Sequence, residues 1–200
     1  MQTINNDKQK RNVNIYMEAN PNPNSMKFVA NFMLLPDGVS YDYPNLESAE
    51  HSPLAKVIFQ SFSYVERVFF MSNFVTITKA EGKDWEEIRT ELKDFIKGYL
   101  EENKEIIIPE ALREEVEINE EDSETVKKIK GILDEYIRPA VESDGGAITF
   151  HSYKEGVVKV LLQGACSGCP SSTVTLKSGI ENLLKRMLPN EVNAVEAEGI

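Results

Sequence analysis

An acidic stretch near the middle of the chain divides its 200 residues into two parts. From Glu101 to Glu124 the chain has eleven acidic and two basic residues, which give −9 of the total net charge of −11. Like charges repel and keep such a segment extended, and Pro109 interrupts any helix through it. We therefore expect two domains that fold separately and move relative to each other. The predicted segments are a disordered tail at residues 1–12, a first domain at 13–102, an acidic linker at 103–122 and a second domain at 123–200.

The composition is that of an ordinary globular protein, with 41% hydrophobic and 28% charged residues. No apolar run reaches the roughly 18 residues that a membrane-spanning helix needs, so no membrane contact is expected. Basic residues form no stripe that follows a phosphate backbone, which argues against nucleic-acid binding. Residues 1–12 are polar and lack the apolar core of a signal peptide, and the chain has only two cysteines. A reducing, cytoplasmic location is therefore predicted.

The first domain is predicted to contain a strand, a second strand, a helix, a hairpin and a second helix. Alternating residues at 13–17 and an apolar run at 26–35 indicate the two strands, and a polar connection follows them. Ser52 and Asp84 are N-cap residues that begin the helices, and residues 72–73 form the tight turn of the hairpin. Strands and helices in this order indicate an α+β domain.

The second domain is predicted to be a compact two-layer α/β unit. A helix with Val126, Tyr136 and Val141 on its apolar face ends at the two glycines that follow Asp144. Two strands, a helix that begins at Pro170 and a last strand complete it. The buried face of the second helix is predicted to consist of Val174, Leu176, Ile180, Leu183, Leu184 and Met187. The fold class is thus α+β, with two small two-layer α/β domains joined by an acidic linker.

Both cysteines of the chain, Cys166 and Cys169, lie in a stretch between a predicted strand and a predicted helix. We call residues 164–172, with the sequence GACSGCPSS, the cysteine loop. The N-terminus of a helix favours negative charge, because its backbone N–H groups are unpaired and its dipole is positive there. Gly164 and Gly168 leave room for a bulky ligand. The loop is therefore suited to hold two thiolates that face the same way.

Three interpretations of this pair of cysteines remain open on the residues alone. The thiols could be inert, they could form the redox pair of a thiol–disulfide oxidoreductase, or they could bind a metal. Against the oxidoreductase, no Trp precedes Cys166, Ser-Gly rather than Gly-Pro lies between the cysteines, and the usual βαβ lead-in is missing. His51 and His151 are interpreted as surface residues.

A metal site would need a second copy of the chain. Tetrahedral zinc and iron–sulfur clusters commonly take four ligands, and this chain supplies two thiolates, Cys166 and Cys169. A twofold dimer with the ligand on its axis completes the set. A ligand held between two surface loops is only partly enclosed, which suits temporary holding and transfer. Spacing alone leaves a zinc-bridged dimer and an iron–sulfur site as alternatives.

The second domain resembles the C-terminal domain of NifU, also called the Nfu domain. The likeness lies in DGG at residues 144–146, LQGACSGCPSS at 162–172 and TLKSGIE at 175–181. The resemblance implies a [4Fe–4S] cluster bound between two subunits through Cys166 and Cys169, although four thiolates also suit [2Fe–2S]. It further implies delivery of the cluster to apo-proteins and receipt from an upstream scaffold, as a carrier in iron–sulfur cluster assembly and not as an enzyme.

The first domain resembles the N-terminal domain of Nfu-type proteins. The motif NPNPNSMKF at residues 20–28 carries the likeness, together with the predicted hairpin and the Asp84-Trp85 helix start. The resemblance implies an accessory module that guides the choice of partner or target.

Overall fold

The structure, a computed structural model, describes residues 10–108, 122–167 and 170–199. Most of the predicted tail, linker residues 109–121, and both Gly168 and Cys169 lie outside the described residues. Within the described ranges, no helix is long and apolar enough to cross a membrane.

A five-stranded antiparallel sheet forms the first domain, with the strand order β1-β2-β5-β4-β3. Two helices pack on one face of the sheet, and Leu54, Ile58, Leu92 and Ile96 are fully buried against it. The elements are β1 (Ile15–Ala19), β2 (Ser25–Ala30), β3 (Ser40–Tyr43), a short 3-10 turn (Glu47–Ala49), α1 (Pro53–Ser61), β4 (Val65–Met71), β5 (Phe74–Lys79) and α2 (Trp85–Glu101).

Both predicted helix starts are confirmed at atomic detail. The Ser52 hydroxyl accepts a hydrogen bond from the Ala55 N–H at 3.1 Å, and the Asp84 carboxylate accepts one from the Glu86 N–H at 3.0 Å. These bonds satisfy backbone donors that an isolated helix end leaves unpaired.

The polar connection predicted before residue 46 contains a strand that the sequence reasoning missed. β3 pairs antiparallel with β4, and Tyr41 and Tyr43 point into the core while Asp42 points to the other face. The strand is only four residues long, and its polar residues Ser40 and Asp42 resemble those of a loop. Their alternation with tyrosine is the signal that identifies it in retrospect.

The segments next to the first domain extend its fold on both sides. The Arg11 N–H donates to the Glu101 carbonyl at 3.2 Å, although residue 11 belongs to the predicted disordered tail. Ile107 is buried, and the Ile108 N–H donates to the His51 carbonyl at 2.9 Å, so the start of the predicted linker packs on the domain. Apolar residues in an acidic segment thus continue the core.

The second domain contains a three-stranded sheet with the order β6-β7-β8. β6 and β7 form an antiparallel hairpin, whereas β8 runs parallel to β7 and is reached through a helix. The described elements are α3 (Glu124–Ile132), a π-helical segment (Leu133–Ile137), α4 (Arg138–Ser143), β6 (Gly146–Lys154), β7 (Val157–Gly164), α5 (Pro170–Met187) and β8 (Ala194–Gly199). Each domain contains both helices and a sheet, so the predicted α+β class is confirmed.

Two details of the predicted helices in this domain are wrong. The π-helical segment shifts the helical period before Pro139, and Tyr136 is 48% exposed instead of facing the core. On α5, Ile180 and Leu184 are buried as predicted, but Val174 is 67% exposed and Met187 is 42% exposed. The apolar face of α5 is therefore narrower than the pattern of apolar residues indicated.

The two domains are in contact in the structure, contrary to the expectation of separate units on a tether. The face of the first sheet that points away from α1 and α2 packs against the open end of the β6–β7 hairpin, where Gly146 pairs with Gly164, and against the start of the cysteine loop. Side chains on this face alternate with core residues along each strand. We call this face the loop-facing side; it includes Lys27, Val29, Ser40, Asp42, Phe69, Met71, Phe74 and Thr76.

We expect Leu92→Ala to lower the free energy of unfolding of the first domain by about 2–5 kcal/mol. Leu92 is fully buried between α2 and the sheet, so its truncation leaves a cavity. Urea unfolding followed by the fluorescence of Trp85, the single tryptophan, measures the change. Leu46→Ala removes the same atoms from an exposed site and should change stability by less than about 1 kcal/mol. Equal losses in the two variants would contradict the assigned core.

Candidate functional site

The cysteine loop connects the end of β7 to the start of α5. Because β8 pairs parallel to β7, the loop belongs to a βαβ crossover and lies at the carboxyl end of a strand. The chain before the loop forms the antiparallel β6–β7 hairpin, so the βαβ lead-in of an oxidoreductase is absent there, as the sequence indicated. The absent Trp and the Ser-Gly pair between the cysteines also count against an oxidoreductase.

Cys166 lies at the inner side of the loop, where its side chain is only 6% exposed. Gly146 on the neighbouring strand makes room for it, since a Cβ on Gly146 would lie 2.9 Å from the Cys166 Sγ. A cavity of about 380 Å³ opens beside Cys166. It is lined by Pro21, Ala140, Val141, Asp144, Cys166, Thr175 and Leu176. The residues around this thiol thus come from both domains.

Two side chains of the first domain bond to backbone atoms directly before Cys166. The Asn22 amide donates to the Ala165 carbonyl at 3.0 Å, and the Gly164 N–H donates to the Asp42 carboxylate at 2.8 Å. Side-chain hydrogen bonds to backbone groups satisfy polar atoms that burial removes from water. They also hold the loop backbone at Gly164 and Ala165 against the first domain.

A third bond and a close packing contact complete the attachment. The Thr76 hydroxyl donates to the Gly145 carbonyl at 2.7 Å. Gly145 and Gly164 both have positive φ angles, +78° and +62°, which glycine adopts without strain. A Cβ on Gly164 would lie 2.8 Å from the Phe69 ring, and one on Gly145 would lie 2.9 Å from the Thr76 hydroxyl. Both glycines are therefore required by the backbone angle and by the approach of the first domain.

Asp42 is a buried charged group at this contact. Its carboxylate pairs with Arg67 at 2.7 Å and is almost completely buried. Burial raises the pKa of the Asp42 carboxyl above its ordinary value, while Arg67 and the Gly164 N–H act in the opposite direction. The carboxylate thus depends on two partners, one from each domain.

The Asn-Pro turn at residues 20–25 is held rigidly by the first domain. The Trp85 indole N–H donates to the Pro23 carbonyl at 3.0 Å, and the buried Lys79 ammonium donates to the Asn24 side chain at 3.1 Å. The Asn22 side chain also accepts from the Asn24 N–H at 3.0 Å, which orients its amide toward the loop. The sequence reasoning singled out this turn but did not connect it with the cysteines.

The structure describes only some of the predicted site residues. Cys166 is placed as described, whereas Cys169 lies outside the described residues. His51 and His151 are exposed, in agreement with their interpretation as surface residues. In the part of the chain that the structure describes, no group of three His, Cys, Asp or Glu side chains is arranged to hold a metal ion. Asn22 and Asp42, which contact the loop backbone, and Thr76, which contacts Gly145 before β6, were missed because each is an ordinary polar residue in its own segment.

Fold and loop together define a two-domain protein whose parts both have known counterparts. Residues 15–103 match the family described as scaffold protein Nfu/NifU N terminal, and residues 129–196 match the NifU-like domain. The chain belongs to the Nfu/NifU family, with both of these domains in that order. Both resemblances stated from the sequence are confirmed.

Two named relatives are similar to this protein over most of its chain. A protein of Drosophila erecta named "NFU1 iron-sulfur cluster scaffold homolog, mitochondrial" is 43% identical over 187 residues, 94% of this chain and 65% of its own length. A protein of Drosophila willistoni with the same name is 44% identical over 187 residues, 94% of this chain and 64% of its own. The chain thus spans slightly less than two thirds of these relatives.

One solved structure is also similar in part. The solution structure of a NifU-like protein from Saccharomyces cerevisiae is 27% identical, with a TM-score of 0.44. The match covers 55% of this chain and 93% of that protein.

The predicted cytoplasmic location is contradicted by these relatives, which are named as mitochondrial proteins. The prediction depended on the polar composition of residues 1–12 and on the small number of cysteines. A low number of disulfide-forming residues fits any reducing compartment and therefore does not separate the cytoplasm from a mitochondrion.

We expect Gly146→Ala to destabilise the second domain by about 1–3 kcal/mol, because the added methyl group meets the Gln163 carbonyl and the Cys166 sulfur. Urea unfolding followed by circular dichroism measures the loss. Gly179→Ala is the matched control, because a Cβ there has no atom within 4 Å among the described residues. In the interior of a helix this control should increase stability by up to about 1 kcal/mol. Similar effects of the two substitutions would contradict the geometry around Cys166.

Proposed function

We propose that this protein carries an iron–sulfur cluster as cargo and transfers it to apo-proteins. The cluster is bound between two copies of the chain, and each copy contributes Cys166 and Cys169. We assign a [4Fe–4S] cluster, with [2Fe–2S] as the other form that four thiolates suit. The chain acts as a carrier without catalytic turnover.

The observation that carries this proposal is the number of thiols. The whole chain has two cysteines, both in the cysteine loop, whereas iron–sulfur clusters commonly take four thiolates. A second copy related by a twofold axis supplies the other pair. The relatives' names, iron–sulfur cluster scaffold homologs, support the same cargo.

The surroundings of Cys166 support its role as a ligand. The thiol borders the cavity between the domains, and the absence of a side chain on Gly146 lets the sulfur pack against the neighbouring strand. The loop leads into α5, which begins at Pro170, so the amino end of a helix stabilises thiolate charge there. Soft thiolate ligands select iron–sulfur clusters over ions that prefer oxygen ligands.

Partial enclosure suits a carrier better than a permanent electron-transfer centre. A cluster between two loops at the surface is reached by the thiols of another protein, which exchange with Cys166 and Cys169 one at a time. We propose that the chain receives its cluster from an upstream scaffold and delivers it to apo-proteins. The first domain is proposed to take part in the choice of these partners.

Anaerobic reconstitution with iron and sulfide tests this function. We expect broad visible absorption and about four iron atoms per dimer, as four-thiolate ligation of one cubane cluster requires. Cys166→Ala and Cys169→Ala should each lose the absorption and the bound iron. Ser152→Ala changes an exposed residue of β6 and should retain both. A Cys166→Ala variant that binds the full complement of iron and sulfide would refute the proposal.

The same preparation distinguishes the two alternative functions. Zinc without sulfide in protein isolated anaerobically would indicate a zinc-bridged dimer. Turnover in a glutathione-coupled disulfide reductase assay would indicate a thiol–disulfide oxidoreductase. Under the carrier proposal, we expect neither result.

A further inference from the structure

We infer that the loop-facing side of the first domain is a binding surface for the cysteine loop of its own chain, and that this contact competes with the pairing of two loops around a cluster. The inference rests on the proposed function, because the competitor is the second copy that shares the cluster. The chain would then alternate between a closed form, with the loop against the first domain, and a paired form, with two loops around a cluster.

The closed contact is specific to the backbone around Cys166. Asn22 bonds to the Ala165 carbonyl and Asp42 accepts from the Gly164 N–H, so the two residues before the cysteine are both held. These contacts come from two separate segments of the first domain, the Asn-Pro turn and β3. Cys166 itself is only 6% exposed and packs with the core of the second domain, so the first domain contacts the two residues that precede a buried thiol.

The loop-facing side has large apolar side chains that are shielded from water in the structure. Phe69, Met71 and Phe74 are buried with Ala147 of the second domain in a cluster of their own, separate from the cores of the two domains. If the second domain moved away, these three side chains would face water, and apolar surface of that kind favours renewed contact. The first domain therefore holds the second domain even without a cluster.

Closed and paired forms exclude each other for a geometric reason. Pro21 lines the cavity beside Cys166, and the first domain occupies one side of the loop up to that cysteine. A second loop that brings its own thiols to the same cluster needs that side of the loop. The first domain must therefore move off before two copies can pair.

Thiol alkylation of the full chain tests the closed contact without a cluster. In a Cys169→Ser background Cys166 is the single thiol, so the rate of its reaction with N-ethylmaleimide reports how often the contact opens. Thr76→Val removes the hydroxyl that bonds to Gly145 and keeps the shape of the side chain. The loss of one buried hydrogen bond should raise the alkylation rate at least about fivefold.

Two further variants make this measurement specific. Thr78→Val is the matched control, on the same strand and the same face, and in the described part of the chain its hydroxyl makes no hydrogen bond to the second domain. Asn22→Ala removes a different bond from a different segment and should accelerate alkylation as Thr76→Val does. The rates should not depend on protein concentration, because the contact lies within one chain. Equal rates for Thr76→Val, Asn22→Ala and Thr78→Val would overturn the inference.

A second measurement, with both cysteines present, tests the competition. Thr76→Val and Asn22→Ala should load iron and sulfide faster than Thr78→Val and reach the same final iron content. Faster alkylation with unchanged loading rates would overturn the competition. If even the unaltered chain bound no cluster, the proposed function would fail, and the alkylation rates alone would decide whether the first domain covers Cys166.

Discussion

The arrangement of the molecule depends on the covering of one sheet on both of its faces. The first sheet buries one face under α1 and α2, and its other face lies against the second domain. An antiparallel sheet often leaves its second face in water, and its strands then alternate between apolar and polar residues. Here β4 and β5 carry Phe69, Met71 and Phe74 on the second face. The cysteine loop lies beside this face, because the loop belongs to the domain that packs on these apolar side chains.

Two glycines allow the domains to approach each other closely, and a third lets Cys166 pack against β6. Gly145 and Gly164 take positive φ angles and present their backbone to Thr76 and Phe69. Gly146 makes room for Cys166. The glycine pair after Asp144 resembled a simple helix end in the sequence, but only Gly145 has that role. Close packing between the domains and the packing of the Cys166 thiol therefore depend on the adjacent residues Gly145 and Gly146.

Local signals in the sequence were sufficient for most of the fold. Caps at Ser52 and Asp84 and the turn between β4 and β5 depend on neighbouring residues, so a single sequence reveals them. The contact between domains depends on residues far apart in the chain, 69 positions for Thr76 and Gly145 and 143 for Asn22 and Ala165, and has no local signature. One indirect signal existed, because the run from Val68 to Met71 is apolar without alternation, as in strands buried on both faces. Spacing identified the cysteines as a pair, but the family resemblance was needed to select their ligand.

Three hydrogen bonds join the first domain to main-chain atoms of Gly164 and Ala165 in the cysteine loop and of Gly145 before β6. Every residue type has the same carbonyl, and nearly every type has the same N–H, so these three bonds depend on the path of the chain and not on the identity of its side chains. At Gly145 and Gly164, however, the backbone takes positive φ angles, which glycine adopts without strain, so the path itself restricts which residues fit at these two positions. At these positions the contact between the domains therefore depends on backbone geometry.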